Sequence, residues 1–363
     1  MNEIVNNYKE ILEFIPTIND MDIHSIKNTS IYKTVLEFIV QNNMKNILIS
    51  LSGGVDSMVL LEIVNYIKNY EETMSNLNDI SLYCCHLNYN NREESVMERN
   101  FLKEYCQEKG IVIDCKDIMF KRGDIKRNIY EKETRIIRYN YYQDMCIKFN
   151  SDGVMLAHHK DDICENIFNN LMRGGREITD LTVIKEKNNI LGVDVHRPML
   201  SYYKDVILDF ADTFQIPYFL DTTPDWSCRG KMRRNIFPAC EDCYSINYKN
   251  SLLKIGEESD TINNILEKYM IDRIYKTISF ENEEIVTIPL ENNKELEEPY
   301  ILKIIMRKIC YKLHVDNIKQ RSVEYLSQCI REKMIGKIKL TLFKNYNIHL
   351  NENTIIVSKN TTQ

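Results

Sequence analysis

Apolar residues along this chain fall into two regimes. Between about residues 46 and 222 they come as short runs: Ile47-Leu-Ile-Ser-Leu51, Ile80-Ser-Leu-Tyr-Cys-Cys85, Ile111-Val-Ile113, Val154-Met-Leu-Ala157 and Ile190-Leu191. Such runs read as strands buried on both faces. Helical patterns separate them, as in Met58-Val-Leu-Leu-Glu-Ile-Val64. The alternation predicts βαβ units, hence an α/β fold with a parallel sheet covered by helices. Residues 1–45 read as an N-terminal helical extension, whose clearest amphipathic piece is Tyr32 to Val40. After about residue 245 the periodicity becomes helical, from Ile262 to Ile274 and from Tyr300 to Leu313. It ends in strand patterns at Lys337–Leu342, Tyr346–Leu350 and Thr354–Val357. Three regions are therefore expected: the extension at 1–45, an α/β domain at 46–240, and a smaller α+β domain at 241–363.

Ligands on open parallel sheets bind beyond the carboxyl ends of the strands, and the polar clusters of this sequence fall there. The first is Ser52-Gly53-Gly54-Val55-Asp56-Ser57, between a strand and a helix. Gly53 and Gly54 let backbone amides approach an anion, Ser52 and Ser57 add hydroxyls, and the helix N-terminus favours negative charge. Asp56 would repel a phosphate unless a cation stood between them, which points to Mg²⁺ bound with a nucleotide. The lysine-bearing GxxxxGK[ST] loop is absent.

A second cluster, His86 to Ser95, includes Asn88 and Arg92; a solvated loop would read similarly. The third, Ala157-His158-His159-Lys160-Asp161-Asp162-Ile163-Cys164-Glu165, is followed by Arg173-Gly174-Gly175. Asp161 and Asp162 precede Glu165 by four and three residues, so one helix face can hold all three. Clustered carboxylates call for a cation, either a metal or a substrate ammonium; an acidic first turn favoured by the helix dipole is the plainer reading. Arg197-Pro198-Met199-Leu200 is the fourth cluster. The fifth runs from Asp221 to Pro238 and carries Arg229, Lys231, Arg233, Arg234 and Asn235 beside Trp226. It fits a phosphate or RNA-backbone contact, or a solvated basic loop.

Composition narrows the field. The 363 residues are 44% hydrophobic and 28% charged, as in a folded soluble chain with room for two cores. The N-terminal residues lack a signal-like pattern, and no apolar run approaches a membrane span, so a cytoplasmic protein without membrane attachment is expected. Eleven cysteines, an odd number, suit reduced thiols rather than a disulfide framework. A net charge of −6 gives no global basic field, so any nucleic-acid contact must come from local patches.

The SGGVDS segment resembles the PP-loop of ATP pyrophosphatases. In this order, the clusters resemble the tRNA(Ile)-lysidine synthetase family. The matching positions are Ser52 to Ser57; His86, Asn88, Arg92 and Ser95; Arg135, Arg138 and Tyr139 after Glu131 or Glu133; His158, His159, Asp161, Asp162 and Glu165 with Arg173 and Gly174; Arg197, Pro198 and Leu200; and Asp221, Arg234, Asn235 and Pro238. The match covers about residues 46 to 240. Tyr89 and Asn90 replace the family's His and Gly, Asp225-Trp226-Ser227 stands where Thr-Asn or Ser-Asn is usual, and Ala239 replaces an arginine. The chain is expected to lack the family's far C-terminal tRNA-binding module.

The resemblance implies a Rossmann-like parallel sheet of the PP-loop (adenine nucleotide alpha hydrolase-like) type and ATP-dependent ligation of lysine to an anticodon-loop cytidine, with release of AMP and pyrophosphate. ATP and Mg²⁺ would use Ser52, Gly53, Gly54, Val55, Asp56, Ser57 and His86, with Asp56 as the metal ligand. Asp162 and Glu165 would hold the lysine. Asp56, Asp161, Asp162 and Glu165 would form the catalytic set, with Asp161 or His159 taking the amine proton. Arg92, Arg135, Arg138, Arg173, Arg197, Arg233, Arg234 and Asn235 would grip tRNA, expected to be tRNA(Ile) with a CAU anticodon, and a homodimer is compatible with this reading. Competing readings are tRNA thiolation, for which Cys240-Glu-Asp-Cys243 is the only CxxC, small-molecule amidation as in NAD synthetase, and a non-catalytic RNA-binding relative.

Overall fold

In the computed structural model, Ile47 and Ile49 pack into one hydrophobic cluster and Leu48, between them, into another. Successive strand residues point to opposite faces, so a strand with no polar face must be covered on both. Burying each such side chain contributes about 1.5–3 kcal/mol, which fixes the strand in the middle of the sheet. The structure describes residues 2–14, 23–71, 80–91, 94–120, 126–173, 177–219, 227–281, 284–315, 318–343 and 346–359. These divide into two compact units, 1–256 and 257–363.

The first unit holds a six-stranded sheet built from β1 (Asn46–Ser50), β2 (Ser81–Asn88), β3 (Val112–Asp117), β4 (Val154–Met155), β5 (Lys187–Ile190) and β6 (Val193–His196). Their spatial order is β3-β2-β1-β4-β6-β5. All neighbours are parallel except β5, which pairs antiparallel with β6 at the edge. The expected α/β class therefore holds, with that one reversed strand added. Strand order reverses between β1 and β4, the place where open α/β sheets bind ligands.

Helix α1 (Val55–Tyr70) follows β1, and α2 (Lys160–Arg173) follows β4. Helix α1 is buried on nearly every side, from Met58 through Ile67, and Glu62 within it bonds Tyr105 Oη and Lys109 Nζ. The other sheet face is covered by the Arg127–Phe149 helix through Tyr139, Tyr142 and Met145. That helix ends at Asn150, whose left-handed backbone closes the last turn. A short pair, Leu12–Phe14 with Tyr218–Phe219, lies outside the main sheet.

The second unit packs the helices Pro299–Lys312 and Gln320–Arg331 with a five-stranded antiparallel sheet. The three predicted strands are present, joined by Ser279–Glu281 and Ile285–Pro289. Val286 and Ile288 are fully buried while Ile285 is exposed, an alternation too short to register within a helical stretch. Among the described residues, no helix is long and apolar enough to cross a membrane. All eleven cysteines are free thiols.

Candidate functional site

Four strand ends build the site. After β1 the chain turns sharply at Gly53, which takes a φ of +87°. A Cβ there would sit 2.2 Å from Phe219 Cε2, so only glycine fits between the turn and that ring. Phe219 also donates its amide to Gly53 O at 3.0 Å. Ser57 Oγ gathers the loop, accepting from the amides of Ser52 (3.2 Å) and Gly53 (3.1 Å) and donating to Gly54 O (3.0 Å). Gly54 N donates to Ser52 Oγ at 3.3 Å. His86, in the C-terminal half of β2, is buried with Nδ1 2.8 Å from Leu51 O. Burial lowers its pKa, so the ring is a neutral prop for the loop.

Beyond β4, His159 is 2% exposed and sits among three carboxylates. Its Nδ1 is 3.4 Å from Asp161 Oδ2, and its Nε2 is 3.6 Å from Asp162 Oδ2 and 3.7 Å from Asp56 Oδ1. Burial alone would lower its pKa, but Asp161, Asp162 and Asp56 outweigh that and Lys204, and the net shift is upward. The imidazole thus links the acid of the first loop to those of α2.

Each acid has a further partner. Lys204 Nζ lies 2.9 Å from Asp56 Oδ2, and the Lys204 amide donates to Asp161 Oδ2 at 2.9 Å. Lys249 Nζ is 2.6 Å from Asp161 Oδ1. Although burial opposes it, these groups and His159 hold Asp161 well below the usual carboxylate range. Asp162 is also lowered against its burial, chiefly by His159, His158 and Arg229. Glu165 is 2% exposed, gripped by Arg233 through Nε and Nη2 and by Arg229 Nε at 3.2 Å. Arg229 and Arg233 also reach Asp162, at 3.5 and 3.6 Å. Four carboxylates thus face four cations, Lys204, Lys249, Arg229 and Arg233.

Arg229 lies in the short helix Cys228–Lys231, capped by Ser227, and Arg233 in the turn that follows, just before Pro238. Lacking an amide hydrogen, that proline interrupts the ordinary helical ladder, and residues 232–236 form a wider π turn in which Phe237 N donates to Met232 O. From there α3 (Phe237–Tyr244) continues, and α4 (Asn247–Leu266) follows it with Lys249 in its first turns.

His158 plays a different part. Arg197 Nε donates to its Nδ1 at 2.8 Å, and burial followed by Arg197, Arg229 and Arg138 pushes its pKa down to about 4. Arg197, 2% exposed, also donates to Lys185 O (2.6 Å) and Asn188 Oδ1 (2.7 Å). It is a positioning group here, with its hydrogen bonds turned inward. Arg135 and Arg138 lie over the Tyr139 ring, 5.0 and 5.4 Å from its centroid. Arg173, Arg234 and Asn235 are exposed. Arg92, Gly174, Asp221 and Trp226 lie outside the described residues.

Sequence reasoning singled out Asp56, His159, Asp161, Asp162 and Glu165, which the structure brings together. It passed over Lys204, Lys249 and Phe219. Each is an ordinary residue in an ordinary element, and only the fold carries it to the loop.

A model of the PP-loop domain matches residues 27–240. A tRNA(Ile)-lysidine synthase of Staphylococcus aureus (strain COL) is 27% identical over 240 residues, 66% of this chain and 54% of that protein. The namesake of Staphylococcus epidermidis (strain ATCC 12228) is 32% identical over 222 residues, 59% and 48% of the two chains. That of Chlamydia abortus is 27% identical over 274 residues, 75% and 81% of the two chains. The chain spans about half the length of the staphylococcal relatives it matches. With a glycine turn at the reversal point of a parallel sheet and a domain match over more than half of its residues, the chain belongs to the PP-loop family.

Proposed function

We propose that this chain modifies tRNA at the expense of ATP, activating an anticodon-loop cytidine as an adenylate and joining lysine to C2. The observation that carries the proposal is the meeting of Asp56 with Asp161 and Asp162 around His159, with Glu165 joined to Asp162 through Arg229 and Arg233, in a chain whose relatives are tRNA(Ile)-lysidine synthases. Lysidine synthesis needs an ATP site and an acidic amine site that meet at the reacting carbon, and this arrangement supports both.

In the first step, cytidine O2 attacks the α-phosphorus of ATP, forming the P–O bond and releasing pyrophosphate. The turn at Gly53, propped by Ser57, Phe219 and His86, shapes the pyrophosphate seat. Mg²⁺ suits this site in one respect, because Asp56 Oδ1 is buried without a hydrogen-bond partner. Among the described residues no cluster of three His, Cys, Asp or Glu could hold a metal alone, so Asp56 would share the ion with phosphate oxygens and water. The ion supplies charge neutralisation on the leaving group.

In the second step, the lysine ε-amine attacks C2, forming the C–N bond as AMP leaves. Asp162 and Glu165 receive its ammonium in exchange for Arg229 and Arg233. The proton lost before attack goes to His159, whose three carboxylate neighbours strengthen it as a base; Asp161, tied to Lys249, is the weaker acceptor. Arg135, Arg173, Arg234 and Asn235 remain for the RNA backbone, with Arg92 and Arg138 in the same role. Arg197 supports His158.

The test is to incubate the protein with Mg²⁺-ATP, radiolabelled lysine and unmodified tRNA(Ile) bearing a CAU anticodon. ATP-dependent label in the RNA, abolished in Asp56→Ala, is expected. Pyrophosphate release without label would overturn lysine as the donor, and neither product would overturn the reaction.

A further inference from the structure

Beside the carboxylates lies a cavity of about 520 Å³ that the proposed chemistry leaves unused. Its walls include Phe168, Tyr244, Asn247, Tyr248, Ser251 and Leu252. Phe168 follows Glu165 by one turn of α2, and Tyr248 precedes Lys249, whose ammonium holds Asp161. Phe237 bridges them, meeting Phe168 edge-to-face at 5.6 Å and lying tilted against Tyr248 at 5.5 Å by ring centroid. Helix α4 is pressed against α2 here: Cys164 Sγ donates to Lys249 O at 3.8 Å, and a Cβ on Gly256 would come within 2.6 Å of Ile167. The cavity is therefore fixed to the same helix as the acids. Its size is that of a small-ligand site.

Its chemistry is that of a base receptor. Aromatic faces offer stacking, and the Asn247 amide and Ser251 hydroxyl offer donors and acceptors at the rim for a base edge. Tyr244 is 66% exposed, so its ring is open to solvent at the cavity. Lys231 and Arg234, exposed on the turn leading into α3, supply positive charge that a phosphodiester entering this cavity would meet. We infer that this cavity receives an unstacked nucleobase of the substrate RNA adjacent to the base being modified. The inference rests on the tRNA reading above and adds a second base contact to it.

The experiment is an abasic scan. The protein is titrated by fluorescence anisotropy with a labelled anticodon stem-loop RNA, intact or with one loop base removed at a time. One position besides the reacting cytidine should weaken binding about tenfold when abasic, within the range that base-on-aromatic stacking carries. Ser251→Trp, which fills the cavity from its exposed rim, should weaken the intact RNA by a similar factor and abolish the penalty at that position only. Tyr248→Leu should act in the same sense. Abasic penalties that are identical in wild type and both variants would overturn the inference while leaving the tRNA reading intact. Failure of the wild type to bind any of these RNAs would overturn both. A change of oligomeric state in Ser251→Trp with unaltered RNA binding would make the cavity a face between copies and overturn it too.

Discussion

Gly53→Ala tests the turn most directly, because two independent costs can be worked from the structure. An alanine held at φ +87° carries left-handed strain of about 1–2 kcal/mol. Its Cβ would also overlap Phe219, with Cε2 at 2.2 Å and Cδ2 at 2.3 Å, and relieving such overpacking costs about 1–3 kcal/mol. Phe219 is 5% exposed and its amide is tied to Gly53 O, so the ring has little room to withdraw. The sum is about 2–5 kcal/mol, to be read from the urea midpoint at unchanged m-value. Phe219→Leu should cost under about 1.5 kcal/mol alone and, in the Gly53→Ala background, recover the overpacking share but not the backbone share. The proposed adenylation should fall further than stability, since displacing the loop by about an ångström can cost a hundredfold in rate. A Gly53→Ala protein within about 1 kcal/mol of wild type, or a double variant with no recovery, would refute this account of the turn.

Three further outcomes are expected. Arg233→Ala removes the two-pronged contact to buried Glu165 but leaves Arg229, so a loss of about 1–3 kcal/mol is expected, shrinking to under half in a Glu165→Gln background; equal losses in both backgrounds would sink the assignment. His159 has a folded pKa above its ordinary value, so its contribution to stability is full below about pH 6.5 and fades as pH rises through the folded value. Urea titrations across that window should show wild type losing stability while His159→Gln stays flat; Asp161 and Asp162, shifted the other way, should lose theirs as pH falls below the usual carboxylate range. Arg197→Lys cannot reproduce three directed bonds from one guanidinium and should cost about 2–4 kcal/mol with a matching loss of kcat, whereas unchanged kcat in a folded variant would separate His158 from the chemistry.

What could be read in advance was whatever repeats locally. The run Ile47–Leu51 and the segment Ser52–Ser57 carry strand, turn and helix in adjacent residues, and α2 places its acids by helical spacing alone. Strand β3 was legible only as Ile111–Ile113, because its second half, Asp114-Cys-Lys-Asp117, is polar. It is held by partners from elsewhere: Tyr141 and Lys148 on Asp114, Asn88 and Arg99 on Asp117. Edge strand β5, Lys187-Asn-Asn-Ile190, has no apolar alternation and exists through its pairing with β6. In the site, the acids were legible, Arg229 and Arg233 were legible as basic residues but not as partners of Asp162 and Glu165, and Lys204 and Lys249 were not legible at all. Lys204 and Lys249 are separated from Asp56 and Asp161 by 148 and 88 residues, and no local pattern encodes such a meeting.

The β5–β6 hairpin has a consequence that reaches past its own edge. Arg197 stands just after β6 and spans to Lys185 and Asn188 on the opposite arm before touching His158. A hairpin slip of one residue exchanges the two faces of a strand, which would turn Asn188 away and let go of the guanidinium. The rim of the sheet therefore acts as a template: the pairing Asn188↔Val195 decides whether the imidazole beside the acids is held or loose. Substitutions in Gly192 or Asn189, at the exposed bend and far from the nucleotide turn, should be felt as altered hydrogen-exchange protection around His158.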